Sequence, residues 1–167
     1  MNILIVESEN DQYFVEALIS QTINAETEVC RIDEFRHSSL DEKKLTTKIE
    51  DAFTTRGVSK IGILLDMDNS TEKERINLVN KCLKKAAESC SIQELTQEIT
   101  SVGTFISAKK DDFITLQIAC YFTNVAGNGE LETVLKVIAT QDATFADCLL
   151  EGWKSCFLQK GKKIAEK

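Results

Sequence analysis

Ile61-Gly62-Ile63-Leu64-Leu65-Asp66-Met67-Asp68-Asn69 is the stretch on which the reading of this chain turns. An unbroken apolar run leads straight into two aspartates. A run of that length suits a strand buried on both faces, as in a parallel sheet. Just downstream, Thr71 and Glu74 have the spacing of a capping box, which predicts a helix starting near Ser70 or Thr71. Ile76, Val79, Leu83 and Ala86–Ala87 then recur at helical intervals and would form its inner face.

The same grammar appears at the amino end. Asn2-Ile3-Leu4-Ile5-Val6 reads as a buried strand that runs into Glu7. From Asp11 the pattern becomes helical, with Phe14, Val15, Leu18, Ile19 and Ile23 on one stripe and Asn10 or Asp11 as N-cap. A weaker strand is expected over 27–33, a loop over 34–41, and a helix to about Thr55 that Gly57 stops. Residues 102–108 and 113–122 read as two strands joined by the polar turn Lys109-Lys110-Asp111-Asp112. After Gly127-Asn128-Gly129, helices are expected over 130–140 and 143–160, the second carrying Phe145, Leu149, Trp153 and Phe157 toward the sheet. This alternation predicts an α/β fold: a mainly parallel central sheet with flanking helices and a C-terminal hairpin plus helices. It is read as a single domain over 1–160 with a polar tail over 161–167. Proline is absent, so every boundary rests on glycine, polar clusters and periodicity.

Composition narrows the function. With 167 residues, 43% of them hydrophobic, the chain can bury a core without disulfides and is too apolar for disorder. No apolar run approaches the length of a membrane span, and the N-terminus turns acidic at Glu7, unlike a signal peptide. The six cysteines form no C-x-x-C pair and His37 is the sole histidine, a poor basis for zinc. They are read as reduced and buried, in a cytoplasmic protein. A net charge of −7 argues against autonomous nucleic-acid binding. Lys81, Lys84, Lys85, Lys109, Lys110, Lys160, Lys162 and Lys163 read as solvated faces, and no aromatic residues interleave with them as a stacking platform requires.

In open α/β sheets, ligands gather at the carboxyl ends of strands. Here two such ends are acidic, one with Glu7, Glu9 and Asp11 and one with Asp66 and Asp68. Residues two apart in extended chain point the same way, so both aspartates can face one point. Glu7 would join them if the two strands are neighbours. Clustered carboxylates repel unless protons or cations neutralise them, and oxygen ligands suit Mg²⁺ or Mn²⁺. There is a plainer explanation for acids at such places: they are solvated and favour the helix dipole. Asp11, Glu72 and Glu74 are open to it.

Val6-Glu7-Ser8-Glu9-Asn10-Asp11 resembles the V-E-G-x-x-D motif of the Toprim domain, and Ile63-Leu64-Leu65-Asp66-Met67-Asp68 resembles its D-x-D strand end. Gly129-Glu130-Leu131-Glu132 resembles a downstream segment in the nuclease domains of overcoming-lysogenization-defect type. The resemblance reaches from residue 3 to about 135 and looks like a stand-alone branch related to that group. It implies a Toprim-like (Rossmann-like) fold and a Mg²⁺- or Mn²⁺-dependent phosphotransfer or nuclease site acting on nucleic acid, with a partner protein delivering substrate to so acidic a chain. Asp66 and Asp68 would hold the ion. Glu7 would be a ligand or general acid/base, Asp11 a second-site ligand, and Glu132 would complete a two-metal site. Glu7 and Asp66 would then be the catalytic pair. The chain departs from the motif at Ser8, where the family has glycine, and at Met67, where it often has a small residue.

Two alternatives stand beside this one. The first is a Toprim-derived module that binds a metal or nucleotide without catalysis. The second is a receiver domain of response regulators, which Ile3-Leu4-Ile5-Val6-Glu7, Leu64-Leu65-Asp66 and Ile106-Ser107-Ala108-Lys109 resemble, although the spacings are longer than compact receivers allow and no Lys-Pro is present.

Overall fold

The computed structural model describes residues 1–22, 26–32, 40–112 and 114–123. Along them run β1 (Asn2–Val6), α1 (Glu9–Thr22), β2 (Thr27–Arg31), α2 (Glu42–Thr54), β3 (Lys60–Asp66), α3 (Glu72–Ser89), β4 (Glu94–Leu95), β5 (Ile106–Lys109) and β6 (Thr115–Thr123). The strands form one sheet in the order β2-β1-β3-β6-β5-β4. β2, β1, β3 and β6 are parallel, while β5 and β4 add an antiparallel edge. The expected mainly parallel α/β architecture is therefore present in the described residues.

Alternation along the strands divides the core. Ile3 and Ile5 of β1, Ile61, Ile63 and Leu65 of β3, and Leu116, Ile118, Cys120 and Phe122 of β6 join Leu45, Ile49, Phe53, Val79 and Leu83 of α2 and α3 in one large cluster. Side chains as buried as Phe53 and Ile49 contribute on the order of 2 kcal/mol each. On the other face, Val6, Val15 and Val29 form a smaller cluster with Leu4, Phe14, Ile19 and Leu64.

The helix boundaries show local chemistry at work. Asp41 caps α2 by accepting from the Lys43 amide, and Gly57, at φ 75, turns the chain after the helix. The Thr71–Glu74 capping box at the start of α3 is present in full. α1 starts at Glu9 and not at Asp11: Ser8, rather than Asn10 or Asp11, stands at the cap, its carbonyl accepting from the Gln12 amide and its Oγ from the Asp11 amide. The hairpin turn lies where expected, with the Ile114 amide donating to Asp111, but β5 begins only at Ile106. The two-residue strand β4 has no periodicity to betray it. It is held by edge bonds from Gln93 and Thr96 to the carbonyls of Lys109 and Ser107. The expected helices over 130–140 and 143–160, and the tail, lie outside the described residues.

Candidate functional site

β1 and β3 are adjacent and in register, Val6 opposite Leu64. That pairing brings Glu7 to the carboxyl end of β3, where its Oε2 accepts a hydrogen bond from the Asp66 amide at 3.1 Å. Asp66 is paired in turn with Thr123, the last residue of β6, whose hydroxyl donates to Asp66 Oδ1 at 2.6 Å. Burial pushes the Glu7 carboxyl from its ordinary 4.5 up to about 7. The Asp66 amide hydrogen bond opposes the rise, the Asp66 charge adds to it, Arg75 opposes it and Asp68 adds to it. Glu7, Asp66 and Asp68 thus share one field at one end of the sheet.

They do not share one ligand geometry. Asp68 leaves the extended path at φ 45, a left-handed conformation that Asp tolerates better than most residues. The simple expectation that residues two apart point alike fails at that turn. Its Oδ2 instead accepts from Arg75 NH2 on α3 at 2.7 Å. Asp11 is buried, 4% exposed, and its Oδ2 accepts from both the amide and the hydroxyl of Ser8, at 2.8 and 2.6 Å. The described carboxylates are the hard oxygen donors that Mg²⁺ favours, yet no three His, Cys, Asp or Glu side chains among the described residues are grouped to hold an ion. Each candidate is tied to a different protein donor. Glu132 lies outside the described residues.

The two departures from the motif have structural explanations. Met67 is buried in the large core cluster and so does not stand between the aspartates. Ser8 needs no glycine-like backbone, since positive φ outside glycine occurs, among the described residues, at Asp68 and Ser91 alone. Its hydroxyl serves as a cap.

Three residues of this end escaped the sequence reading. Thr123 carried no signal until β6 was placed beside β3. Arg75 did carry one: it falls four before Val79, on the apolar stripe of α3, and a charge on a core stripe asks for a partner. It is 6% exposed. Arg31, opposite Val6 at the end of β2, also stands here and pairs with Glu9 at 2.8 Å.

The lysines lie elsewhere. Lys81 and Lys85 both pair with Glu42 at the start of α2. Lys109 is paired with Thr115, beyond the Gln117–Lys60 pair, and so belongs to the opposite end of the parallel strands from Asp66. The same register overturns the receiver alternative. Ser107 lies opposite Gln117, which lies opposite Lys60, so it is six residues of strand, about 20 Å, from Asp66.

Cys82 and Cys120 are buried and Cys30 and Cys90 half-buried, all unbridged. Burial pushes the Cys120 thiol up to about 11 and raises the other three. Cys82 and Cys120 pack as small apolar residues, as expected, whereas Cys30 and Cys90 fall short of the expected burial, and Cys148 and Cys156 lie outside the described residues. No helix among the described residues is long and apolar enough to cross a membrane.

No curated protein and no solved structure matches the chain. A family model does, over residues 1–164, and the chain belongs to that family, described as Protein of unknown function (DUF3226).

Proposed function

We propose that the carboxyl end of β1 and β3 is a Mg²⁺- or Mn²⁺-dependent phosphotransfer site of nuclease type, in a Toprim-like domain that acts on nucleic acid. The observation that carries this reading is the seating of Glu7 against the Asp66 amide, with Asp68 close enough to raise the cost of its charge. A partly buried acid beside two aspartates is destabilising unless it serves a proton or a cation. Asp66 and Asp68 would hold the ion, and Glu7 would hold or move a proton at its Oε atoms. A bound divalent ion supplies positive charge at a phosphate oxygen and a more acidic water. A partner protein would deliver the substrate.

Purified protein with Mn²⁺ should nick plasmid or cut single strands slowly, and Asp66→Asn should abolish the cutting. Cutting that persists in Asp66→Asn would sink the assignment. A second reading, a metal- or nucleotide-binding module without catalysis, draws support from Lys81, Lys85 and Lys109, which do not converge on the carboxylates. A Mn²⁺-dependent rise in melting midpoint, lost in Asp66→Asn, together with no cutting by wild type, would select it.

A further inference from the structure

We propose that the sheet carries a docking surface for the chain's own carboxyl-terminal residues: 130–160 pack across β3, β6 and β5, on the side away from α2 and α3. This packing needs no ion at the carboxylates and goes beyond the phosphotransfer reading.

The two faces of the sheet are unequally covered. α2 and α3 lie over one face, where Ile61, Ile63 and Leu65 alternate into the large cluster with Ile118, Cys120 and Phe122. α1 lies on the other face, and its cluster joins β1 and β2 and extends to Leu64 of β3. Beyond Leu64 that face carries no described helix. Tyr121, the partner of Leu64 on β6, is 59% exposed. Two residues back along both strands, Gly62 and Ala119 are paired and half-buried. Phe105, one residue before the Ile106–Ile118 pair, is 54% exposed. β3 and β6 are parallel neighbours, and parallel strands are ordinarily covered on both faces.

The rest of the chain suits that surface in position, length and pattern. β6 ends at Thr123 beside Asp66, so the residues that follow begin at the carboxyl end of the sheet. The face under α2 and α3 is filled, and a return over the sheet has the other face to take. Leu131, Val134, Leu135 and Ile138 recur at one helical interval, and Phe145, Leu149, Trp153 and Phe157 at another. A helix over 130–140 would be about 16 Å long, which matches about five residues of strand, the run from Gln117 to Tyr121. Amphipathic stripes need an apolar surface to cover. A segment tethered at Thr123 also meets this face at an effective concentration that a free partner or a second copy does not reach.

The test uses the full chain with photoreactive p-benzoylphenylalanine in place of Tyr121, an exposed aromatic of similar shape. Irradiation should join the β6 peptide to a peptide from 130–160 within one chain, read by mass spectrometry. The same group in place of Lys84, exposed on α3, should give no such product. Trp153, the sole tryptophan, supplies a second readout. In wild type acrylamide should quench it far more slowly than free tryptophan. Tyr121→Glu puts a charge under the segment and should speed quenching roughly two- to threefold. Tyr121→Phe and Lys84→Glu should leave the rate at the wild-type value.

A covalent dimer from position 121 would seat a second copy on the face and overturn the proposal. So would the lack of any product with 130–160, or wild-type Trp153 quenched as fast as free tryptophan. Unchanged quenching in a folded Tyr121→Glu protein overturns it as well; should that variant fail to fold, the cross-link decides. Each of these outcomes leaves the phosphotransfer reading to the cutting assay with Asp66→Asn.

Discussion

α1 and α3 each leave an acidic strand end, and each begins with the same device. At α1, the Ser8 amide and hydroxyl donate to Asp11 Oδ2 at 2.8 and 2.6 Å, and the Asp11 amide donates back at 3.3 Å. At α3, the Thr71 amide and hydroxyl donate to Glu74 Oε2 at 2.7 and 2.8 Å, and the Glu74 amide donates back at 3.3 Å. The bond patterns are superimposable in kind, but the surroundings differ. Asp11 is buried, whereas Glu74 is exposed. The same two donors are therefore worth more to Asp11, because water cannot replace them. A residue so committed is an expensive one to recruit as a second-site ligand. The motif-like spacing of Glu7 and Asp11 is explained in part by helix capping alone.

Asp11→Ala is the strongest way to break this comparison. It strips the acceptor from both Ser8 donors inside the protein, and should cost about 2–3 kcal/mol of unfolding free energy in urea titration. A loss no larger than that of Glu74→Ala would show that burial adds nothing. Higher ion-free stability in Asp11→Ala would show instead that Asp11 is held there against its own repulsion, as a ligand would be.

Glu7, seated against the Asp66 amide, sharpens it further through pH. Below pH 4.5 its carboxyl is neutral in both folded and unfolded chains. Between 4.5 and about 7 the folded protein keeps a proton that the unfolded chain has released, so ion-free stability should fall as pH rises through this window and level off above it. Because Glu7 is only partly buried, the step should be about 1–2 kcal/mol, smaller than the full shift implies. Glu7→Gln should lack that step. An equal slope in Glu7→Gln would place the titration on another group.

Thr123→Val tests the neighbouring anchor. Loss of the hydroxyl that donates to Asp66 at 2.6 Å should cost about 1 kcal/mol in ion-free protein. If Asp66 takes an ion, saturating Mn²⁺ should narrow the difference from wild type, since the ion then faces the oxygen that lost its donor. An unchanged gap in Mn²⁺ would argue that the Asp66 oxygen stays with protein donors.

The parts that were legible are those governed by local rules. Ile61–Leu65 announced a buried central strand because both its faces are covered, and Thr71–Glu74 announced a helix start because a capping box is complete within four residues. Glu7 and Asp66 could be brought together because parallel strands joined by helices leave few pairings. What escaped depended on long-range placement. β4 is two residues bonded to an edge, Thr123 matters only through the β6–β3 register, and the backbone of Asp68 turns left-handed beside the Arg75 ion pair. The alternation rule for D-x-D assumed an extended chain that the structure abandons at its second aspartate.

Glu74→Gln is the smallest change and the control for the first comparison. The two Thr71 donors hold the Glu74 carboxyl below its ordinary 4.5. A depressed carboxylate stabilises the fold above the unfolded value and loses that contribution as pH falls through the folded one. Near neutral pH, Glu74→Gln should therefore melt slightly lower than wild type, because a neutral amide oxygen accepts less strongly and sits less well at the positive end of α3. As the pH is taken down through 4.5 and below, the two melting curves should converge. Both differences should be smaller than those of the Asp11 variant, since water screens the α3 box and replaces its bonds. Curves that separate as the pH falls would reverse the sign of the Glu74 contribution. A loss at neutral pH matching that of Asp11→Ala would mean that the two helix starts differ in nothing but sequence.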